Sequence, residues 1–133
     1  MTVEQQLAHT AEVIAAMMFL IMGASHMIQP ATWVHFFVTL RNLGYAGVFA
    51  NSFLCLFFGM IIVALHNIWT WPALLLTLIG WAQVVKGLVG FVAPALAMRG
   101  LNLVDRKNEW RFVAAGVPSF VLGLWFAFDA VGR

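Results

Sequence analysis

Residues 47–65 read GVFANSFLCLFFGMIIVAL, a run of nineteen residues that contains no charged side chain. A helix needs about 20 apolar residues to cross the hydrocarbon core of a bilayer. The run lacks the alternation of apolar and polar residues that a barrel strand shows. Because unpaired backbone groups are costly in lipid, the stretch predicts a transmembrane helix.

Three more apolar stretches of similar length surround this run, at about residues 12–29, 72–93 and 111–131. Of the 133 residues, 63% are hydrophobic and only 9% are charged. Soluble domains usually carry about 25% charged residues. The sequence therefore predicts an all-α fold, a four-transmembrane-helix bundle forming a single integral membrane domain.

Composition also excludes several classes of function. The formal net charge is +2, and the seven Lys and Arg residues do not interleave with aromatic residues, so we predict no nucleic acid partner. Cys55 is the single cysteine, which excludes a disulfide within the chain. Residues 1–12 lack the basic region of a signal peptide, so we expect the first helix to be retained. Phosphate-binding loops and zinc-protease motifs are missing, and we predict neither an enzyme nor a cofactor.

The links between the spans differ in character. Near residues 31–43, apolar side chains recur with the i, i+3, i+4, i+7 spacing of a helix face: Trp33, Phe36, Phe37 and Leu40. This pattern predicts a short helix lying in the membrane interface. Residues 94–110 form a polar link, whereas residues 66–71 form a tight loop with two tryptophans that suit the interface.

Charge predicts the orientation in the membrane. The two long links lie on one side, since two spans separate them, and that side holds five of the seven Lys and Arg residues: Arg41, Arg99, Arg106, Lys107 and Arg111. The opposite side holds Arg133 alone. By the positive-inside rule, we expect both long links in the cytoplasm and both termini outside.

An internal repeat appears when the sequence is shifted by 64 residues. Pro30 then matches Pro94, and Gly23 matches Gly87. We interpret the chain as two tandem helical hairpins, at about residues 11–66 and 72–131, related by a pseudo-two-fold axis along the membrane normal. Small residues allow helices to approach closely in lipid, so we predict helix packing at Ala16, Gly23, Gly59, Gly80, Gly87 and Gly123.

Polar side chains gather at the outer end of the predicted bundle. Glu12 and Asp129 lie near the outer ends of two spans, and His66 and Asn67 lie in the tight loop. Two carboxylates and an imidazole suit a divalent metal or a proton relay, which makes Glu12, His66 and Asp129 candidate ligands. The alternative is that water solvates each group separately at the headgroup level.

A second polar group lies towards the link side. We expect Lys86, His26, Asn51 and Gln83 to line a polar path or to contact an anionic lipid head or a substrate carboxylate. Ser25, Gln29 and Ser52 belong to the same group. The alternative for Lys86 is snorkelling, in which its ammonium reaches the interface along apolar surface. His26 is also a candidate axial ligand for a pigment, because Gly23, one turn away, leaves room for a ring.

Residues 59–94 carry a sequence pattern with three parts: L-H-N-I-W at 65–69, T-L-I-G-W at 77–81 and K-G-L at 86–88. Gly59 precedes the first part and Pro94 follows the last. The pattern resembles a group of small, uncharacterised bacterial inner-membrane proteins. The resemblance implies the fold and a location in the bacterial inner membrane, and it transfers no site roles.

These observations favour an interaction protein. We expect a small integral membrane protein that acts as an accessory or scaffold subunit, with membrane lipids and either other membrane subunits or further copies of itself as partners. One alternative is a small transporter or channel with a polar path between the two hairpins. A second alternative is a lipid- or pigment-associated membrane protein.

Overall fold

The computed structural model describes residues 1–132, which contain helices and no strand. The α-helices are α1 Val3–Ile28, α2 Pro30–Asn42, α3 Tyr45–Leu65, α4 Leu74–Val92, α5 Pro94–Asn102 and α6 Trp110–Gly132, with a 3-10 turn at Arg106–Asn108. Within this range, four helices are long and apolar enough to span a membrane: α1, α3, α4 and the segment ending in α6. The all-α fold and the four long apolar helices are therefore confirmed. Arg133 lies outside the described residues.

Local sequence signals set the ends of the helices. Thr2 and Gln5 form a capping box, in which the Thr2 hydroxyl accepts from the Gln5 amide at 3.2 Å and the Gln5 side chain accepts from the Thr2 amide at 2.8 Å. Helix α1 therefore begins at Val3, well before the apolar stretch. Pro30 and Pro94 occupy the first turns of α2 and α5, where a missing N–H has no cost.

The long helices pair differently from two consecutive hairpins. Helix α1 packs along α6, and α3 packs along α4, whereas α1 touches α3 over a much smaller area. The physical reason lies in the connections. Helix α2, at about 1.5 Å per residue, separates the end of α1 from the start of α3 by up to about 20 Å, while a tight loop joins α3 directly to α4. Helix α2 therefore keeps α1 and α3 from forming the first predicted hairpin, and α1 packs instead against α6 near the C-terminus.

Glycines mark the closest approaches within both pairs. A Cβ on Gly23 would lie 2.6 Å from the backbone nitrogen of Phe120, and a Cβ on Gly87 would lie 2.8 Å from that of Leu56. The reverse contacts are equally close: a Cβ on Gly59 would lie 2.7 Å from the nitrogen of Val84, and one on Gly123 would lie 2.7 Å from that of Leu20. Backbone therefore meets backbone at each of these crossings.

Both links lie at one end of the bundle. Leu40 of α2, Val48 of α3 and Leu101 of α5 form a buried cluster there. The Arg41 guanidinium donates to the carbonyl of Val104 at 2.9 Å and ties the end of α2 to the chain after α5. The tight loop lies at the opposite end, where Trp71 contacts Trp125 of α6 edge to face. We call these the link end and the loop end.

Candidate functional site

At the loop end, His66 and Glu12 form a buried pair. His66 directly follows α3 and Glu12 lies on α1, and His66 Nε2 lies 3.0 Å from Glu12 Oε1. The residues are 0% and 2% exposed, respectively. The pair joins the two halves of the bundle, since α1 belongs to the α1–α6 pair and His66 to the α3–α4 pair.

Thr77 of α4 completes this arrangement, and its hydrogen bonds constrain the histidine. The Thr77 hydroxyl donates to the Ile68 carbonyl at 2.8 Å, its shortest bond, and accepts from the Ile68 amide at 3.0 Å. With its single proton used, the hydroxyl acts as acceptor for His66 Nδ1, 3.3 Å away. We therefore assign the Nδ1 proton to His66, and Nε2 faces the Glu12 carboxyl.

This geometry permits one proton to be shared between His66 Nε2 and Glu12 Oε1. The two atoms are 3.0 Å apart, which is hydrogen-bonding distance, and neither side chain is open to water. His9 lies one turn before Glu12 on α1, and its buried Nδ1 has no hydrogen-bond partner among residues 1–132. The arrangement is a buried, hydrogen-bonded polar group inside an otherwise apolar bundle.

The other loop-end candidates are less buried than this pair. The Asn67 side chain accepts from the Trp81 indole N–H at 3.3 Å on the exposed surface. Asp129 lies on α6, half-buried. Within residues 1–132, no three His, Cys, Asp or Glu side chains converge closely enough to hold a metal ion, so the geometry gives the metal interpretation no support.

At the link end, a cleft of about 440 Å³ opens between the helices. Lys86 of α4 and Asn51 and Ser52 of α3 supply its polar side chains. The remaining lining is mainly apolar and comes from α2 to α6 and the chain just after α5. Its residues are Phe37, Val48, Val89, Leu96, Ala97, Gly100, Leu101, Val104 and Phe112. Three members of the predicted link-side group thus share one cavity with an apolar wall.

The remaining members of that group lie elsewhere. The His26 ring stacks on Trp33 at 4.1 Å, and its Nδ1 donates to the Met22 carbonyl at 2.6 Å. The Trp33 indole donates to the Ser25 hydroxyl at 2.9 Å, so this group fastens α2 to α1. Gln83 is half-buried on α4 and does not line the cleft.

The space expected beside His26 for a pigment ring is filled. Gly23 faces the backbone of Gly116 and Phe120 on α6, and a single added carbon there would lie within 3 Å of both. The glycine serves contact between helices and leaves no open volume for a ring.

Sequence reasoning missed Thr77 and His9 in the loop-end group. Thr77 was available as a polar residue inside an apolar span, a position that deserves a functional hypothesis in a membrane. His9 was hidden because residues 3–11 are too polar to resemble part of a span. No family model, curated protein or solved structure matches the chain.

Proposed function

We propose that the chain is a small integral protein of the bacterial inner membrane that acts through helix–helix contacts, as an accessory or scaffold subunit. It does so either as a homo-oligomer or docked on a larger membrane complex. The observation that carries this proposal is an aromatic ridge on α3, formed by Phe53, Phe57 and Phe58. Phe53 and Phe57 are 60% and 45% exposed and stack at 6.1 Å, and Phe58 meets Phe57 edge to face.

The ridge is an exposed face available for a partner. The small residues that favour close helix approach in lipid are already used inside the chain, at Gly23, Gly59, Gly87 and Gly123. Apolar exposure alone does not drive association in a bilayer, because lipid tails are equally apolar. Stacked aromatic rings add shape-specific contact worth about 0.5–1.5 kcal/mol per pair.

Replacing both Phe53 and Phe57 with leucine should weaken association while leaving the fold intact. We expect the oligomer or complex seen for the wild type by native mass spectrometry from mild detergent to shift mainly to the single chain. Phe128→Leu is the matched control, since Phe128 is exposed on α6 away from the ridge. A wild-type chain that is single and without a protein partner under the mildest conditions would contradict the proposal.

A transporter is the second candidate, and the link-end cleft favours it. The cleft lies between the two helix pairs and holds Lys86, so its cargo would be an anion. A substrate path would also require a polar continuation towards the other end, where the polar group is the buried Glu12–His66 pair. Flux of the cargo anion into proteoliposomes should then fall with Lys86→Met.

We propose further that the chain contains two related copies, offset by 64 residues and intertwined. The glycine contacts support this. Gly59 contacts Val84, and Gly123 contacts Leu20. The two contacts correspond under the 64-residue shift, because Gly59 plus 64 is Gly123 and Leu20 plus 64 is Val84. In the same way, the Gly23–Phe120 contact corresponds to the Gly87–Leu56 contact, because Gly23 plus 64 is Gly87 and Leu56 plus 64 is Phe120. In this arrangement, the second long helix of each copy packs against the first long helix of the other copy, as α6 packs against α1 and α3 against α4.

The orientation is a separate prediction. With the positively charged link end in the cytoplasm, alkaline phosphatase fused after Gly132 should be active, and green fluorescent protein fused there should be dark. Fusions within residues 103–109 should show the opposite pattern. Fluorescence from the C-terminal fusion, together with active phosphatase at the link, would reverse the assignment.

A further inference from the structure

Lys86 presents an energetic problem that the rest of the chain does not solve. It lies six residues before the end of α4 at Val92, which places it about 9 Å inside the span at about 1.5 Å per residue. A cation at that depth is costly unless it is paired or hydrated. Among the described residues 1–132, no salt bridge reaches Lys86.

The cleft around Lys86 has the chemistry of a site for an amphiphile. Its volume of about 440 Å³ lies within the about 300–1,000 Å³ that small-molecule sites occupy. Lys86 supplies a positive charge, and the neighbouring Asn51 amide supplies further donors. Phe37, Val89 and Leu96 make the remaining wall apolar.

We infer that the link-end cleft binds an anionic phospholipid, with the phosphate at Lys86 and Asn51 and part of an acyl chain along the apolar wall. Charge complementarity identifies the headgroup, since no carboxylate of residues 1–132 pairs with Lys86. The apolar wall identifies the source as a lipid, because a small soluble anion would gain nothing from it. The inference rests on the membrane placement of the four spans and is independent of the scaffold proposal.

Helices α2 and α5 explain why this site differs from ordinary snorkelling. Both short helices pack at the link end, where Leu40, Val48 and Leu101 form their common cluster, and α5 contributes Ala97 and Gly100 to the cleft. A lysine that snorkels along an open helix contacts many lipids in turn. Lys86 is itself exposed, and the apolar wall that α5 adds beside it would hold one lipid in a defined position.

The test is lipid retention by the purified full-length chain in mild detergent, measured by native mass spectrometry. Phosphatidylglycerol and phosphatidylcholine with identical acyl chains are offered in equal amounts. We expect the wild type to retain phosphatidylglycerol in preference, and Lys86→Met to lower that retention about tenfold, whereas Lys86→Arg keeps it. Lys107→Met, which removes a charge from the link outside the cleft, should change retention less than twofold.

Two further arms separate the lipid from other sources of the same charge. Inorganic phosphate at millimolar concentration should not displace phosphatidylglycerol; if it does, the site binds a soluble anion and the lipid assignment fails. A phosphatidylglycerol with a photoreactive acyl chain should label residues 96–104 and the region of Phe37 in the wild type. Labelling spread evenly over the four spans, or equal losses for Lys86→Met and Lys107→Met, would overturn the inference.

Discussion

Replacing Gly23 with alanine is expected to destabilise the bundle by about 3 kcal/mol, at the upper end of the usual cost of overpacking. The added Cβ would lie 2.6 Å from the Phe120 nitrogen and 2.9 Å from the Gly116 carbonyl oxygen. Both are backbone atoms of α6, so no side chain can rotate away to relieve the clash. Helices α1 and α6 must separate, and the packing along their whole contact loosens.

The chain offers both a matched partner and a matched control for this change. Gly87→Ala should cost nearly the same, because the new Cβ would meet the Leu56 nitrogen and the Ser52 carbonyl oxygen at 2.8 Å. Gly100→Ala should be neutral or stabilising by up to about 1 kcal/mol, since nothing lies within 4 Å and alanine favours helix over glycine.

Steric trapping or controlled denaturation in mixed micelles measures the free energy of unfolding for the three variants. Equal costs for Gly23→Ala and Gly87→Ala support the intertwined repeat as well as the close contacts. A Gly23→Ala variant as stable as Gly100→Ala would show that α1 and α6 do not meet at this point.

The sequence predicted the existence of the four long apolar helices better than their ends. The run at 47–65 became α3, which starts at Tyr45, because continuous apolar length is a strong signal in a bilayer. Helix α1 extends nine residues further back than Glu12, to Val3, in a stretch that is more polar than the rest of the helix. The Thr2–Gln5 capping box is nevertheless a sequence signal for the start of α1.

Helix α5 was not expected from composition, although the proposed repeat is consistent with it. Shifting α2 by 64 residues places a helix at residues 94–106, and the structure has one at Pro94–Asn102. The aromatic stripe that predicted α2 is absent from the second copy, so its helical pattern is weaker. Pairing of α1 with α6 could not be read from the sequence, because the small residues of α1 fit any helix with matching small residues.

For the candidate sites, the sequence likewise indicated which residues lie at the same end of the bundle, but it did not indicate which side chains touch. The grouping of Glu12 with His66 came from topology alone, and their contact needed the tilt and register of α1 against α3. Lys86 and Asn51 share a cleft, as the link-side grouping suggested, while His26 turned to Trp33. Ring stacking and one backbone carbonyl satisfy His26 locally, a solution that sequence spacing does not reveal.

The positions that the proposed 64-residue repeat relates to Glu12 and His66 carry apolar side chains. Adding 64 to Glu12 and His66 gives Leu76 and Ala130, and Leu76 is fully buried in an apolar cluster with Ala15, Ala16 and Phe126. If the proposed repeat holds, the corresponding position therefore accepts apolar side chains. Replacing a buried polar pair by apolar residues of fitting shape is often neutral or stabilising, so packing alone does not require Glu12 and His66.

Glu12→Leu alone should lower the free energy of unfolding by about 2–3 kcal/mol, because His66 Nε2 loses its partner at 3.0 Å and cannot reach water. His66→Ala alone should cost about 3 kcal/mol, since it leaves the Glu12 carboxyl without its imidazole in an apolar setting. The double variant Glu12→Leu/His66→Ala copies the residues of the second copy and should return to within about 1 kcal/mol of the wild type.

A double-mutant cycle on unfolding in mixed micelles measures the coupling energy of the pair. We expect about 3 kcal/mol or more, which is above the range of ordinary hydrogen bonds between membrane helices. Thr77→Val, which removes the acceptor for His66 Nδ1 and the bonds to Ile68, should reduce this coupling, because the ring is then free to rotate. Costs that simply add in the double variant would show that the two side chains act separately. A stable double variant that has lost its partner or its lipid would instead place the pair in function, because the fold can do without it.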